Sequence, residues 1–218
     1  MTHVPDPVRE SPAHTLSVPR PRLGWLWIGL LAVLAAGLLA RAMPGIPAFI
    51  GTQLFNKHTI GGDFALTDHT GRRVTQAVLA DRPYAIFFGF THCVDVCPTT
   101  LQEMSGWLGA LGSDAAKIGM VFVTVDPKRD TPAALGDYLK SFDPRILGLT
   151  GTEAEIADML RAYRVYSHFS EVKNGDYAVD HSAAVFLMDR NGELKTVIGQ
   201  GEKTADAVMK LQELIRGG

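Results

Sequence analysis

The chain has 218 residues, 46% of them hydrophobic and 20% charged, which suffices for one packed domain and an appendage. A formal net charge of -2 without clustered Lys and Arg excludes a nucleic-acid surface. No internal repeat or sustained heptad is visible.

Residues 1–22 are rich in proline and polar groups with no apolar period, and are read as a disordered tail. Leu23 to Ala40 follows as an uncharged apolar run of 18 residues, about 27 Å as a helix and just long enough to span a hydrocarbon core. Trp25 and Trp27 stand at its first end, where amphipathic rings favour the interface. Arg9, Arg20 and Arg22 precede the run and only Arg41 closes it, so a cytoplasmic N-terminus and an extracytoplasmic domain are expected. Ala40-Arg41-Ala42 also fits a small-x-small cleavage site, and a mature chain beginning at Met43 is the rival to a retained anchor. Residues 41–57, with Pro44, Gly45 and Pro47, read as a linker.

From there the pattern alternates short apolar runs with helical periods, as an α/β domain over 58–218 does. Phe64–Thr67 and Arg73-Val74 flank Asp68-His69-Thr70-Gly71 as a hairpin. Tyr84–Phe90, Ile118–Val125 and Ala183–Met188 are apolar on both faces and predict central strands; Asp189–Gly192 turns the last into Leu194–Ile198. Helices are predicted over Thr99–Leu111, from Thr131-Pro132 to about Phe142, from a Thr152/Glu155 capping box to Tyr163, and over Lys203–Ile215. The connection Val165–Asp180 is read as irregular. Its Asn174-Gly175 turn signal suits either a mobile excursion that orders on metal binding or a static surface hairpin.

The only two cysteines, Cys93 and Cys97, sit together in F-F-G-F-T-H-C-V-D-V-C-P, between a buried-looking run and a helix. Within a helix an i,i+4 pair lies on one face, close enough to hold one ion, and the same spacing permits a disulfide. Spacing therefore leaves copper and disulfide chemistry both open. A purely structural bridge is a weak reading, since closing so few residues removes little entropy from the unfolded chain. Asp95, between the cysteines, is expected to cap the helix or tune the thiols. Asp126, Arg129 and Asp130 lie just beyond a central strand, where they either serve the site or fix their loop by ion pairs and caps. His92 adjoins Cys93 and is not removed as a ligand by spacing alone.

Residues 58–216 resemble the Sco/SenC family of membrane-anchored copper proteins. The matching elements are G-G-D-F-A-L-T-D at Gly61–Asp68, the cysteine motif at Phe87–Pro98, V-T-V-D-P-K-R-D-T-P at Val123–Pro132 and V-D-H-S at Val179–Ser182. Val94 departs from the proline that many members carry after the first cysteine, which alters local stiffness and not ligand identity. The resemblance implies a thioredoxin-like fold, with a central mixed β-sheet flanked by helices behind an N-terminal transmembrane helix. It also implies that Cys93, Cys97 and His181 bind one copper ion as Cu(I) or Cu(II). The donor chemistry agrees, because two thiolates and an imidazole suit copper, whereas structural zinc usually asks for a fourth ligand. Asp180 is a candidate to orient His181.

The expected function is therefore a copper metallochaperone that delivers to the dinuclear copper centre of cytochrome c oxidase subunit II. Other copper chaperones or thiol reductants are possible further partners. The alternative is a thiol-disulfide oxidoreductase, with Cys93 and Cys97 as a redox dithiol that reduces the oxidase cysteines or senses redox state. A peroxidase of the same broad fold needs an activating polar cluster that the sequence does not specify. The expected location is an inner membrane with the domain on the periplasmic side, or the intermembrane-space side in a mitochondrion.

Overall fold

A computed structural model of the chain describes residues 60–79, 81–171 and 177–217. The expected tail at 1–22, anchor at 23–40 and linker at 41–57 fall outside the described residues, as does Asn174-Gly175. Among the described residues no helix is long and apolar enough to cross a membrane.

Two uninterrupted apolar runs make the centre of the domain. Strands β3 (Tyr84–Gly89) and β4 (Gly119–Thr124) are buried at every position, as strands covered on both faces must be. They pair in parallel from Tyr84↔Gly119 to Gly89↔Thr124, and β4 pairs in parallel with β5 (Ile146–Thr150). The sheet grows antiparallel on both sides. β1 (Ala65–Asp68) joins β5 and carries β2 (Arg73–Thr75), while β8 (Val185–Met188) joins β3 and carries β9 (Leu194–Ile198). The order is β2-β1-β5-β4-β3-β8-β9, a mixed seven-stranded sheet. A separate two-stranded sheet pairs β6 (Ser167–Glu171) with β7 (Tyr177–His181).

Four helices cover the large sheet. Helix α1 (Val96–Leu111) buries Cys97, Leu101, Met104, Trp107, Leu108 and Leu111, and packs beside α4 (Thr204–Gly217). Helix α2 (Pro132–Leu139) meets β5, where Leu135 and Leu139 fill the space that a side chain at Gly148 would need. Helix α3 (Glu153–Tyr163) packs on the face that carries Phe88, whose ring meets Tyr163 at 5.4 Å. The Tyr84 and Tyr163 hydroxyls, both buried, bond one another at 2.9 Å. The capping box is present: Thr152 Oγ1 accepts from Glu155 N, and Glu155 Oε2 accepts from Thr152 N.

Several boundaries move for local reasons. Helix α1 begins at Val96, ahead of Pro98, because the first turn has no intrahelical use for the N–H that proline lacks. Helix α2 stops at Leu139, short of Phe142. The strand Ile146–Thr150 was not expected; Asp143–Arg145 and Gly148 disguise a run of only five residues. Within Val165–Asp180, read as irregular, β6 and β7 form a ladder from Ser167↔His181 to Glu171↔Tyr177. Their exposed, polar-rich faces gave no apolar period to read.

Asp68 ends β1 fully buried, and its Oδ1 accepts from Thr70 N (2.9 Å), Thr70 Oγ1 (2.6 Å) and Arg72 N (3.0 Å) while Arg72 Nε donates to Oδ2 at 3.0 Å. Burial pushes its pKa up, but the bonds from Thr70 and Arg72 outweigh burial and hold the carboxyl at about 2, below an ordinary 3.8. A depressed folded value means stabilisation that is complete above about pH 4 and lost as pH falls toward 2. Asp68→Asn is expected to cost about 2 kcal/mol at pH 7 and to flatten the acid loss between pH 4 and 2. Denaturant unfolding at pH 7, 4 and 3 checks this; parallel losses in both proteins would refute it.

Candidate metal centre

The register of β3 and β8 determines what meets at the sheet's end. Phe87 lies opposite Val185, so the loop that leaves β3 stands beside the segment that enters β8. The first carries Cys93 and Cys97, and the second follows His181.

Cys97 is the second residue of α1 and is wholly buried, whereas Cys93 in the loop before the helix is half-buried; both thiols are free. Its place before the helix means that Cys93 is not the helical i,i+4 partner that spacing allowed. Instead Cys93 Sγ accepts from Cys97 N at 3.4 Å, taking an N–H that the first turn leaves open. Asp95 occupies the N-cap position but its side chain makes no capping bond, so the expected cap role passes to the cysteine sulfur. Val94 projects from the loop at 95% exposure.

Gly89 gives Cys97 its room. A Cβ there would stand 2.8 Å from Cys97 Sγ and 2.7 Å from the Phe122 ring, closer than either tolerates. The signal was the glycine inside F-F-G-F, since a glycine in a central strand marks a close approach. Burial pushes the Cys97 thiol pKa up, offset only in part by the Phe90 backbone N–H, and the proximity of Cys93 and Asp130 adds to the rise. Cys97 is thus a protonated, core-packed thiol at neutral pH in this state.

His181 closes β7, and its Nε2 lies 3.6 Å from Cys97 Sγ, across 84 residues of sequence. Nδ1 is 2.9 Å from the Ser182 carbonyl oxygen. A carbonyl only accepts, so Nδ1 carries a proton, and in the neutral imidazole this leaves Nε2 as the lone-pair nitrogen facing the sulfur. Phe90 and Phe87 meet the imidazole edge-on at 5.7 and 6.3 Å and limit its rotation. The expected orienting partner, Asp180, points elsewhere: adjacent strand residues face opposite sides, and Asp180 is exposed opposite His168. His92 is exposed, with Nδ1 beside its neighbour Thr91 Oγ1 at 3.1 Å.

The structure therefore brings Cys97 and His181 together and sets Cys93 against the Cys97 backbone. Among the described residues, no group of three Cys, His, Asp or Glu side chains is yet gathered closely enough to hold an ion. The donor set suits a soft or borderline metal, with two sulfurs and an imidazole whose free lone pair faces one of them.

The segment Asp126–Asp130 ties the two halves of the site. Asp130, fully buried, accepts from Thr91 N (3.0 Å), Thr91 Oγ1 (2.6 Å) and Thr124 Oγ1 (2.6 Å), which pins the cysteine loop to β4. Asp126, also fully buried, pairs with Arg129 Nε and accepts from the Tyr177 hydroxyl at 2.7 Å. Arg129 donates to the Tyr177 carbonyl at 3.2 Å and lies over the Tyr177 ring at 3.8 Å. Burial, with the Asp126 bond, pushes the Tyr177 pKa up to about 12, so its hydroxyl stays a donor. Tyr177 opens the strand that His181 closes. Sequence reading singled out Asp126, Arg129 and Asp130 but not Tyr177, which no local pattern marks, nor Thr91, which lies in the cysteine motif without being given a role.

Comparison with known proteins matches this arrangement to characterised chains. The SCO1/SenC family model covers residues 52–216. Protein sco1 of Schizosaccharomyces pombe is 34% identical over 200 residues, spanning 83% of this chain and 75% of that protein. The human SCO1 homolog, mitochondrial, is 37% identical over 163 residues, spanning 73% of this chain and 54% of that protein. This chain thus spans only about half of the human relative's length. Among solved structures, copper-bound ScoI of Bradyrhizobium japonicum is 47% identical with a TM-score of 0.67, covering 71% of this chain and 99% of that one. Copper-bound yeast Sco1 is 39% identical with a TM-score of 0.68, covering 73% and 90%. With both cysteines, the histidine and the loop that joins them lying inside the matched region, the chain belongs to the SCO1/SenC family.

Proposed function

We propose that this chain is a membrane-anchored copper metallochaperone that holds one copper ion through Cys93, Cys97 and His181. The approach of His181 Nε2 to Cys97 Sγ at 3.6 Å carries the reading, since neither packing nor a disulfide requires an imidazole with its free lone pair turned toward a buried thiol. Cys93, half-buried in a loop, supplies the third donor by turning its side chain from the Cys97 backbone. Copper binds as cargo, and each thiol that ligates gives up its proton to solvent. The copper-bound relatives support the choice of metal. Family membership supports delivery to the dinuclear copper centre of cytochrome c oxidase subunit II, with 23–40 as anchor and the domain outside the cytoplasm.

A second reading, thiol-disulfide exchange, is favoured by one observation: two free thiols of unequal exposure at a helix start. In that reading Cys93 attacks and Cys97 resolves. Limited alkylation at pH 7 with mass mapping is expected to label Cys93 well before Cys97; equal labelling removes the assignment of an outer, attacking thiol. Failure of the metal-free dithiol to reduce a subunit II disulfide removes the exchange reading itself.

Replacing Cys93, Cys97 or His181 by alanine is expected to weaken copper binding by roughly 100-fold or more, since even outer partners of ligands cost about 10–100-fold. Visible absorption during copper titration reads this directly. An unchanged affinity and spectrum in His181→Ala would refute the ligand assignment.

Tyr177→Phe removes the bond to buried Asp126 and is expected to cost about 1–3 kcal/mol. It should also speed hydrogen exchange across 177–181 and weaken copper binding. If exchange there matches the unsubstituted protein, the tie between the Asp126 loop and the His181 strand has no mechanical role.

A further inference from the structure

The pairing of β6 with β7 leaves one edge of β6 open. The Ser182 N–H donates to the Tyr166 carbonyl at 3.1 Å, and the ladder that continues from this pair sets His168 against Asp180 and Ser170 against Ala178. Bonded and non-bonded pairs alternate in an antiparallel ladder, so Ser167, Phe169 and Glu171 turn their N–H and C=O groups away from β7. The Tyr177 carbonyl agrees: opposite Glu171, it too points out of the ladder, to Arg129. Among the described residues no strand lies on the open side of β6 and no backbone group bonds to this edge. Proteins commonly blunt such edges with lysine, proline, a bulge or brevity. The large sheet does so, since β2 is three residues long and β9 carries Lys195 and shifts register near Met188. β6, reading S-H-F-S-E, keeps unbroken register over five residues and has none of these devices.

An apolar groove lies beside the open edge. Cross-strand partners share a face, so Phe169 and Glu171 overhang the same side as buried Val179 and Tyr177. There Phe169, still 47% exposed, and Tyr177 line a hollow of about 540 Å³ with Val125, Ile156 and Leu160. A second hollow shares Ala157, Leu160 and Ser167 with it and runs on to Arg161 and Arg164. The two ends carry opposite charge. Arg161 is paired with Asp158 and Lys128 with Glu153, which leaves exposed Arg164 at the Ser167 end and exposed Glu171 at the other without an ion-pair partner among the described residues. We propose that β6 is a docking edge for an extended segment of another protein, which pairs antiparallel with Ser167–Glu171. The segment's residues opposite Glu171, Phe169 and Ser167 bond to the edge and turn their side chains to the groove. Charge complementarity makes the first of these basic, the next two apolar, and sets an acidic residue beyond them near Arg164. A second copy paired about Phe169 would instead set each Glu171 opposite a serine and leave it without a cation.

The probe is the peptide K-T-V-T-V-T-E, labelled with a fluorophore at its C-terminal end and added to the full chain in detergent micelles. Saturable binding by fluorescence anisotropy is expected, with slower deuterium uptake across 167–171. N-methylation of both valines removes N–H groups aimed at β6 and is expected to abolish binding. Arg164→Glu together with Glu171→Lys is expected to weaken binding about tenfold, and the reversed peptide E-T-V-T-V-T-K to recover that loss. The absence of saturable binding overturns the proposal, as does equal binding of the methylated peptide. Indifference of both peptides to the charge reversal overturns the assigned direction and partner chemistry. Slower uptake across 167–171 on concentrating the chain without peptide would give the edge to a second copy and overturn the proposal as well.

Discussion

The antiparallel pairing of β3 with β8 is the constraint on which the site depends. Pairing Phe87 with Val185 fixes the end of one strand beside the start of the other, so two segments separated by 84 residues share a single sheet edge. A register slip of one residue would invert every side chain along β8 and exchange the residues packed in the two layers. Since β8 is buried at all four positions and β3 at all six, the core resists that slip. Donor placement is thereby inherited from the packing of Ile86, Phe87, Phe186 and Leu187, none of which has metal chemistry of its own.

Two buried carboxylates then do what the sheet alone does not. Loops leaving a sheet edge have few backbone partners, and Asp130 and Asp126 supply them, one to the cysteine loop and one to the strand of His181. A buried carboxylate is costly unless its oxygens are satisfied, and these are, by Thr91 and Thr124 in one case and by Arg129 and Tyr177 in the other. The same bonds that offset desolvation also fix loop position, so stability and site geometry are coupled in one short segment.

What was legible in the sequence follows the physical range of each signal. Strands β3, β4 and β8 announce themselves because burial on both faces writes an uninterrupted apolar run, and the capping box at Thr152 because both partners lie within one turn. Cys93, Cys97 and His181 came from local motifs, though geometry showed Cys93 outside the helix and Ser182, not Asp180, holding the imidazole. The strand at Ile146 was too short and too interrupted to read, and β6 with β7 too polar. Tyr177 escaped altogether: its importance lies in the Asp126 carboxylate that its hydroxyl meets across the fold, and no spacing in the chain encodes that.

The separate two-stranded sheet gives the two sides of the site unequal stiffness. Cys97 is wedged against Gly89 and Phe122, and moving it means repacking the core. His181 rides at the end of a ladder that, among the described residues, is not a strand of the seven-stranded sheet. Displacing it breaks edge contacts with Phe87 and Phe90 and strains the Tyr177 tether, while every central strand keeps its partners. On the copper reading proposed above, the imidazole would be the compliant arm and the buried sulfur the fixed jaw, and a competing recipient would meet the least mechanical resistance from the histidine side.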